Sequence, residues 1–250
     1  MPEFGLIGKN IDYSFSRGYF KDKFKKEKLV YSYVNFDIGT ISQFPYILKE
    51  NPDLIGLNVT IPFKESIIPY LDELSPEAQS IGAVNTIKIL SNGKLIGFNT
   101  DYYGFQKSIK PMLNNQHKAA LILGTGGASK AIAYAFKQWD IPTQFVSRNA
   151  KENILSYDDL NKETILAYSI IVNTTPLGTY PNIKSYPKIP YSLLSPNHLL
   201  YDLTYNPSTT VFMQKGMAQG AKATNGYKML VEQAEKAWDI WQDRSNDFNN

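Results

Sequence analysis

The chain has 250 residues, 43% of them hydrophobic, which suffices for one large or two medium-sized domains. Its formal net charge of +3 is too small for the concentrated basic surface of a nucleic-acid-binding protein. With no cysteine and only two histidines, each beside loop residues, neither a disulfide nor a thiolate or histidine metal site is expected. The sequence has no signal peptide pattern and no apolar run of membrane-spanning length, so we expect a cytoplasmic protein.

The first hundred residues contain short apolar segments separated by turn residues. The patterns predict strands in FGLIG, LVYSYVNF and LIGLNVT, and a helix in ISQFPYILKEN with Pro45 in its first turn. NTIKIL and KLIGFN predict two further strands joined by a tight turn at Asn92-Gly93. The basic run from Lys21 to Lys28 is interrupted by acids and predicts the solvated face of a helix. DYYGFQKSIKPML predicts another helix, with Asp101 as its N-cap.

From residue 119 onward, predicted strands alternate with predicted helices. AALILG, TQFVSR, AYSIIVNTT and HLLYDLTY predict strands, while ASKAIAYAFKQW and TTVFMQKGMAQG predict helices. This alternation is typical of a parallel, doubly wound sheet. The last strong pattern, GYKMLVEQAEKAWDIWQ, predicts a helix that returns to the first part of the chain. The prediction is an α/β protein of two lobes with a boundary near Tyr102 and a ligand site in the cleft between them.

The segment LILGTGGASKA has the most interpretable chemistry. Gly124, Gly126 and Gly127 join a predicted strand to a predicted helix, and without Cβ atoms this turn can be tight and its backbone can approach a pyrophosphate. The helix N-terminus offers free N–H groups and the positive end of the helix dipole to the same anion. The strand–turn–helix context favours a dinucleotide site over a purely structural turn.

The strand after the glycine loop ends in Ser147, Arg148 and Asn149, with no acidic residue until Glu152. An NAD site usually has an acid at this point, which binds the ribose 2′-hydroxyl. Arg148 lies 24 residues after the first glycine, where a 2′-phosphate would be bound. The pattern therefore favours NADP(H) over NAD(H), and the alternative is an ordinary surface arginine.

Six motifs occur in the order NVTIPFK, GAVNT, GFNTDYYGF, GTGGAS, YNPSTT and GYKMLVEQA. In this order, and over nearly the whole chain, they resemble the shikimate dehydrogenase family. The resemblance implies a substrate-binding domain, residues 1–102 joined by the C-terminal helix 226–250, and a Rossmann-type NADP-binding domain, residues 103–225. It also implies an oxidoreductase of aromatic amino acid biosynthesis that reversibly reduces 3-dehydroshikimate to shikimate with NADPH.

The resemblance further implies the residues of the site. Lys64 and Asp101 are the expected catalytic pair. Besides this pair, the expected substrate contacts are Ser14 and Ser16 on the carboxylate, Thr60, Asn85 and Gln233 on the ring hydroxyls, and Tyr205 closing the site. The expected cofactor contacts are Gly124, Gly126, Gly127, Ala128, Ser147, Arg148, Asn173 and Thr174, with the loop 173–178 on the nicotinamide side. We expect no metal, a small-molecule substrate, no nucleic acid or membrane partner, and a monomer or homodimer.

Physical arguments support several of these positions independently. Ile61 precedes a proline and is pushed toward extended backbone, and Pro62 stiffens the turn before Lys64. Ketone reduction needs a proton and a cation for the developing alkoxide, and lysine supplies both; the alternative is a solvated lysine. Ser14 and Ser16 are two apart, so an extended chain would place both hydroxyls on one side; the alternative is a pair of helix caps.

Some positions depart from the usual family pattern, and they leave alternatives open. Arg17 stands where the family usually has proline, Thr179 stands where methionine is common, and VSRN replaces the usual Asn-Arg-Thr. Gln233 lies at the border of the apolar face of the last helix and could face solvent instead. The alternative functions are a quinate/shikimate dehydrogenase of broader specificity and a non-catalytic shikimate- or nucleotide-binding relative. A non-catalytic relative should have lost Lys64 or Asp101, and this chain retains both.

Overall fold

The computed structural model describes residues 1–12 and 14–243. Its internal contacts divide the chain into two units, which are described separately. The first unit comprises Met1–Thr100 and the segment from Gln233 onward, and the second comprises Asp101–Glu232. Among the residues described, no helix has the length and apolar character needed to cross a membrane.

The first unit is built on a mixed sheet. Its elements are β1 (Glu3–Gly8), α1 (Phe15–Lys26), β2 (Ser32–Asp37), α2 (Phe44–Glu50), β3 (Leu54–Val59), β4 (Glu73–Leu74), α3 (Pro76–Ile81), β5 (Thr86–Ile89) and β6 (Leu95–Phe98). The strand order is β2-β1-β3-β5-β6-β4. The β1–β2, β1–β3 and β4–β6 pairs are parallel, and β5 is antiparallel to both β3 and β6. The predicted β5–β6 hairpin is confirmed, and Gly93 adopts φ +83° in its turn.

Aromatic side chains fill the space between this sheet and the last helix, α8 (Tyr227–Gln242). The ring of Phe4 lies 5.6 Å from that of Trp238 and 4.7 Å from that of Trp241. The indole nitrogen of Trp241 also donates to the Ile87 carbonyl at 3.0 Å. A Cβ atom on Gly56 would lie only 2.5 Å from this nitrogen, so glycine is required where the indole crosses β3. The helix is thus fixed by packing and by directional hydrogen bonds, among them that of Trp241.

The second unit has a fully parallel sheet. Its elements are α4 (Asp101–Ile109), β7 (Ala120–Leu123), α5 (Gly127–Lys137), β8 (Thr143–Ser147), β9 (Ile154–Ser156), α6 (Lys162–Ala167), β10 (Ile170–Asn173), β11 (Leu199–Asp202), α7 (Val211–Met217), β12 (Lys222–Thr224) and the first part of α8. The strand order is β12-β11-β10-β7-β8-β9, and every pair is parallel. The residues of β7, β10 and β11 are buried throughout, as expected where helices cover both faces. The predicted doubly wound sheet is confirmed.

The start of α4 differs from the prediction by one residue. Asp101 is the first helical residue rather than the cap before it. Its carboxylate still lies in the first turn, where a negative charge interacts favourably with the helix dipole. Further along, Phe105 of α4 packs against Phe136 of α5 and Tyr201 of β11, with ring centroids 5.2 and 4.9 Å apart. These contacts tie α4 to the core of the second unit.

Candidate active site

Lys64 lies in a turn that follows β3 in the first unit. The Thr60 N–H donates to the Ile7 carbonyl at 2.9 Å, and the Phe63 N–H donates to the Thr60 carbonyl at 2.9 Å, which closes the turn. Lys64 itself is half-buried, and its carbonyl accepts the Val84 N–H at 2.7 Å. The backbone of Lys64 is therefore fastened to the segment that leads into Asn85. The predicted turn before the lysine is present, and the Ile61–Pro62 peptide bond within it is cis.

A buried cluster of amides and hydroxyls surrounds Asn85. The Thr100 N–H donates to Asn85 Oδ1 at 2.6 Å. In return, Asn85 Nδ2 donates to Thr100 Oγ1 at 3.0 Å and to Gln233 Oε1 at 3.3 Å. Both amide hydrogens of Asn85 therefore have partners within the first unit. Gln233 is buried, so the alternative in which it faces solvent is wrong.

The same network continues through Asn58, which the sequence analysis did not single out. Asn58 Nδ2 donates to the Asn85 carbonyl and to Thr86 Oγ1, each at 3.3 Å. Asn58 Oδ1 accepts the Tyr33 hydroxyl at 2.7 Å. Burial raises the pKa of Tyr33, and a hydrogen bond from the Ser16 side chain opposes that rise. The sequence feature that could have identified Asn58 is an amide side chain inside an otherwise apolar strand.

Ser14 and Ser16 do not lie on one extended segment, so the predicted placement of both hydroxyls on the same side is wrong. Ser14 has extended backbone (φ −60°, ψ 129°), but α1 begins at Phe15, so Ser16 already lies in the first helical turn. Residues two apart on a helix do not face the same side. Ser14 occupies the N-cap position without a side-chain capping bond, so the helix-cap alternative does not explain its hydroxyl either. Arg17 is exposed and lines an open groove with residues of α1 and β2.

Two glycines in the glycine loop of the second unit, Gly124 and Gly126, have different surroundings. Gly124 adopts φ +115°, and a Cβ there would lie 2.6 Å from Thr174 Oγ1. Thr174 is itself fixed, because its N–H and hydroxyl both donate to the Leu123 carbonyl, at 3.0 and 2.7 Å. Around Gly126, by contrast, a Cβ would meet no atom within 4 Å, so the space beside this residue is open. The loop therefore combines a turn that requires glycine with open space beside it.

The first turn of α5 follows this open space. Gly126 is the N-cap, Gly127 and Ala128 begin the helix, and no acidic side chain lies in the first turn. The leading N–H groups of a helix have no partners within it, so they can bind an anion here without competition from a local carboxylate. Ser129, fully buried, donates to the Gly126 carbonyl at 2.5 Å and stiffens the turn. These residues fit the pyrophosphate of a dinucleotide.

Arg148 follows β8 at the surface of the second unit. β8 ends at Ser147, which is in register with Ser156 of β9, and Arg148 itself is exposed. Burial raises the pKa of Tyr157, and the positive charge of Arg148 opposes that rise. An exposed guanidinium at the end of this strand suits the 2′-phosphate of a phosphorylated dinucleotide.

Asn173 ends β10 and is fully buried. Its Nδ2 donates to Asp202 Oδ1 at 3.0 Å and to the Leu177 carbonyl at 3.2 Å, while its Oδ1 accepts the Thr175 N–H at 3.0 Å. Asp202, at the end of β11, was not identified from sequence; burial raises its pKa, and the hydrogen bonds it accepts oppose that rise. The side chain of Asn173 is thus engaged by the protein, and its contact with a cofactor stays a prediction.

The remaining site residues lie apart along the chain. Asp101 is buried at the start of α4, and Tyr205, half-buried, follows β11 with a pKa raised by burial. Both belong to the second unit, whereas Lys64 belongs to the first. The pairing of Lys64 with Asp101 and the role of Tyr205 stay predictions. In the ranges 1–12 and 14–243, no three His, Asp or Glu side chains form a group that could hold a metal ion.

A parallel sheet of this order, with a glycine-rich turn between its central strand and a helix, defines a dinucleotide-binding α/β protein. The family model of the shikimate dehydrogenase substrate binding domain matches residues 6–87. The shikimate dehydrogenase (NADP(+)) of Clostridium botulinum is 39% identical over 251 residues, 95% of this chain and 95% of the relative. The corresponding enzyme of Methanococcus maripaludis is 37% identical and covers 95% of this chain and 90% of the relative. The chain belongs to the shikimate dehydrogenase family.

Solved structures agree with this assignment. Shikimate dehydrogenase 1 from Peptoclostridium difficile is 40% identical, with a TM-score of 0.86 over 97% of this chain and 92% of its own. The Thermus thermophilus enzyme, solved in complex with NADP(H) and shikimate, is 30% identical, with a TM-score of 0.85 over 97% of this chain and 94% of its own. The predicted family, fold class and oxidoreductase class are therefore confirmed.

Proposed function

We propose that this chain catalyses the reversible reduction of 3-dehydroshikimate to shikimate with NADPH. The observation that carries the proposal is the similarity to named shikimate dehydrogenases (NADP(+)) over 95% of the chain. The presence of both Lys64 and Asp101 supports a catalytic enzyme over a binding-only relative. We further propose a cytoplasmic protein that acts as a monomer or homodimer.

In this proposal the first unit binds the substrate, through the predicted domain of residues 1–102 and 226–250. When bound, NADPH supplies the hydride that adds to the ketone carbon. Lys64 then has two tasks: its cation stabilises the oxygen as negative charge develops, and it or Asp101 delivers the proton that completes the hydroxyl. The two groups act as a coupled pair, so the proton belongs to the pair rather than to one residue.

The other substrate contacts follow the family motif. Ser14 and Ser16 bind the carboxylate, Tyr205 closes the site, and Thr60, Asn85 and Gln233 bind ring hydroxyls. The network around Asn85 supports this role, because it holds two of these side chains at a defined separation before a ligand arrives. A preformed set of donors and acceptors lowers the conformational cost of binding.

The second unit, residues 103–225 in the predicted domain, binds the dinucleotide. Gly124, Gly126, Gly127 and Ala128 hold the pyrophosphate, Ser147 and Arg148 bind the 2′-phosphate, and Asn173 and Thr174 border the nicotinamide. The open space beside Gly126 and the exposed guanidinium of Arg148 support these assignments. The preference for NADP(H) rests on Arg148 together with the names of the relatives.

The direct test is nicotinamide absorbance with purified protein. We expect NADP⁺ reduction with shikimate, and the same rate in a metal chelator, because the chemistry assigned to Lys64 and Asp101 needs no metal. Equal kcat/KM for quinate would favour the broader quinate/shikimate dehydrogenase. Binding of NADPH or shikimate without any turnover would contradict the enzymatic proposal. A loss of activity in chelator that a divalent ion restores would contradict the metal-free mechanism.

A further inference from the structure

Asp202 places one carboxylate between three segments of the second unit. Its Oδ1 accepts the Asn173 side-chain amide at 3.0 Å and the Thr204 N–H at 3.0 Å. Its Oδ2 accepts the Thr210 hydroxyl at 2.6 Å. Asn173 ends β10, Thr204 follows β11, and Thr210 is the N-cap of α7. A single buried side chain therefore joins the ends of two neighbouring strands to the start of a helix.

The segments on either side of this carboxylate are loops with assigned roles. We use the name nicotinamide loop for residues 173–180, which contain the loop 173–178 expected on the nicotinamide side, and the name Tyr205 loop for residues 203–210. Three further bonds join them. The Leu203 N–H donates to the Asn173 carbonyl at 2.9 Å, Thr179 and Thr204 share a hydroxyl–hydroxyl bond of 3.0 Å, and the Tyr180 N–H donates to the Asn206 carbonyl at 3.2 Å. The Thr179–Thr204 bond lies in the loops, beyond the ends of β10 and β11. The two loops are therefore joined at the Asp202 carboxylate and again at the threonine pair.

A carboxylate at this place is costly unless it is fully hydrogen-bonded. Asp202 is 0% exposed, and the two residues that precede it in the chain, Leu200 and Tyr201, are 0% exposed as well. An apolar side chain would fill the same space without a desolvation penalty, but it would leave the Thr204 N–H without this acceptor and the Asn173 amide with only the Leu177 carbonyl. A buried carboxylate is therefore useful here if it holds the Asn173 amide and the Thr204 N–H in defined positions.

We propose that Asp202 is a positioning residue for hydride transfer: it fixes the nicotinamide loop relative to the Tyr205 loop. The inference rests on the proposed function, which gives these loops the nicotinamide and the substrate as neighbours. A displacement of about 1 Å at a reacting centre can reduce the rate about a hundredfold. Loss of the carboxylate therefore lowers kcat, while the pyrophosphate and 2′-phosphate contacts elsewhere keep NADPH bound.

The donors around Asp202 predict different results for two substitutions. In Asp202→Asn, the amide oxygen can take the place of Oδ1 and accept from Asn173 and Thr204. The new NH₂ group then faces Thr210, whose hydroxyl can accept as well as donate. We expect Asp202→Asn to keep kcat within about threefold of wild type, since only one hydrogen bond is reversed. Asp202→Ala loses all three contacts, and we expect kcat to fall about ten- to a hundredfold.

Thr210→Val is the matched control for a purely structural effect. It removes the bond to Oδ2 and the side-chain cap on the Met213 N–H, but it leaves the contacts to Asn173 and Thr204 in place. We expect a lower Tm with kcat unchanged. If Asp202→Ala does not fold, Thr204→Val takes its place; it removes the Thr179–Thr204 bond, and we expect kcat to fall roughly two- to tenfold.

The experiment measures kcat, NADPH affinity by fluorescence, and hydrogen exchange of both loops in all variants. Faster exchange in both loops and low kcat in Asp202→Ala, but not in Thr210→Val or Asp202→Asn, support positioning. Wild-type kcat and exchange in Asp202→Ala overturn it, as does a kcat for Asp202→Asn as low as that for Asp202→Ala. If wild type itself is inactive, the proposed function fails, and loop exchange alone decides whether Asp202 fixes the two loops.

Discussion

The two units bury their polar groups in different ways. In the first, the network contains amides and hydroxyls, and the bonds between an amide and a backbone group have a required direction. Asn58 Nδ2 must face the Asn85 carbonyl, which only accepts, so Asn58 Oδ1 must face Tyr33, which must donate. In the second, Asp202 accepts from every donor around it. The carboxylate only accepts, so its neighbours must all donate.

This difference predicts which substitutions each unit tolerates. A network of amides specifies one arrangement through donor and acceptor polarity, so an isosteric change of polarity leaves two acceptors facing each other. A carboxylate surrounded by donors tolerates replacement by an amide when one neighbour is a hydroxyl that can reverse its role. The first unit therefore fixes the side chains around Asn85 by polarity, and the second fixes the segments around Asp202 by a central acceptor.

The largest expected effect separates the chemistry of the first unit from cofactor binding in the second. Lys64→Ala removes the proposed cation and proton donor, and we expect kcat to fall about 10²- to 10⁴-fold. NADPH affinity should stay unchanged, because the cofactor contacts are assigned to the second unit. Lys49→Ala, an exposed lysine on α2, is the control. Near wild-type kcat in Lys64→Ala would make the lysine a bystander.

The second prediction makes the complementary change in the second unit. Arg148→Ala removes a charge-assisted bond to the 2′-phosphate, which contributes on the order of 1.5–3 kcal/mol, or about 10- to 100-fold in affinity. We expect kcat/KM to fall by that factor with NADP⁺ and to stay unchanged with NAD⁺ and for shikimate. Lys137→Ala, an exposed cation on α5, controls for general charge. Equal efficiency with NAD⁺ in wild type would refute the assignment.

The third prediction tests the polarity argument itself. Asn85→Asp keeps the shape of the side chain, but it directs a carboxylate oxygen at Gln233 Oε1, which is also an acceptor. We expect the free energy of unfolding to fall by about 1–3 kcal/mol, the cost of leaving a buried polar group unsatisfied. Asp202→Asn in the second unit should change it by less. Urea denaturation of both variants makes the comparison, and equal losses would remove the distinction between the two units.

The smallest expected effect is an acid sensitivity of the second unit. His117 Nδ1 accepts the Asn114 N–H at 3.0 Å, so this nitrogen must be unprotonated. Burial lowers the pKa of His117, and the positive charge of Lys222 lowers it further.

The sign of the pH dependence follows from this shift. The unfolded chain binds a proton at His117 near pH 6.5, whereas the folded chain resists it to lower pH, so stability is full above about pH 6.5 and falls below it. Denaturant titrations at pH 7.5 and 5.5 measure the slope of the free energy of unfolding against pH. His117→Asn should have a shallower slope than wild type, and an unchanged slope would exclude His117 as its source.

Features that depend on local residue patterns are predictable from the sequence. Alternating apolar strands and helices predicted the parallel sheet, because both faces of such strands are buried. The glycine loop was predicted because Gly124 and Gly126 lie between a strand and a helix, where few other residues fit. Short elements such as β4, β9 and β12 were not predicted, since two or three residues show no period.

The hydrogen-bond partners of the polar site residues depend on the folded chain and are not predictable from local patterns. Ser14 and Ser16 were expected on an extended segment, but packing of the aromatic face of α1 starts the helix between them. Asn58 begins the motif NVTIPFK but has no predicted role, and Asp202 lies in none of the six motifs, because the roles of both residues come from partners distant in the chain. Asn85 bonds to Gln233 across 148 residues, and Asn173 bonds to Asp202 across 29. A hydrogen bond depends on distance and direction in space, and the fold alone brings such donors and acceptors together.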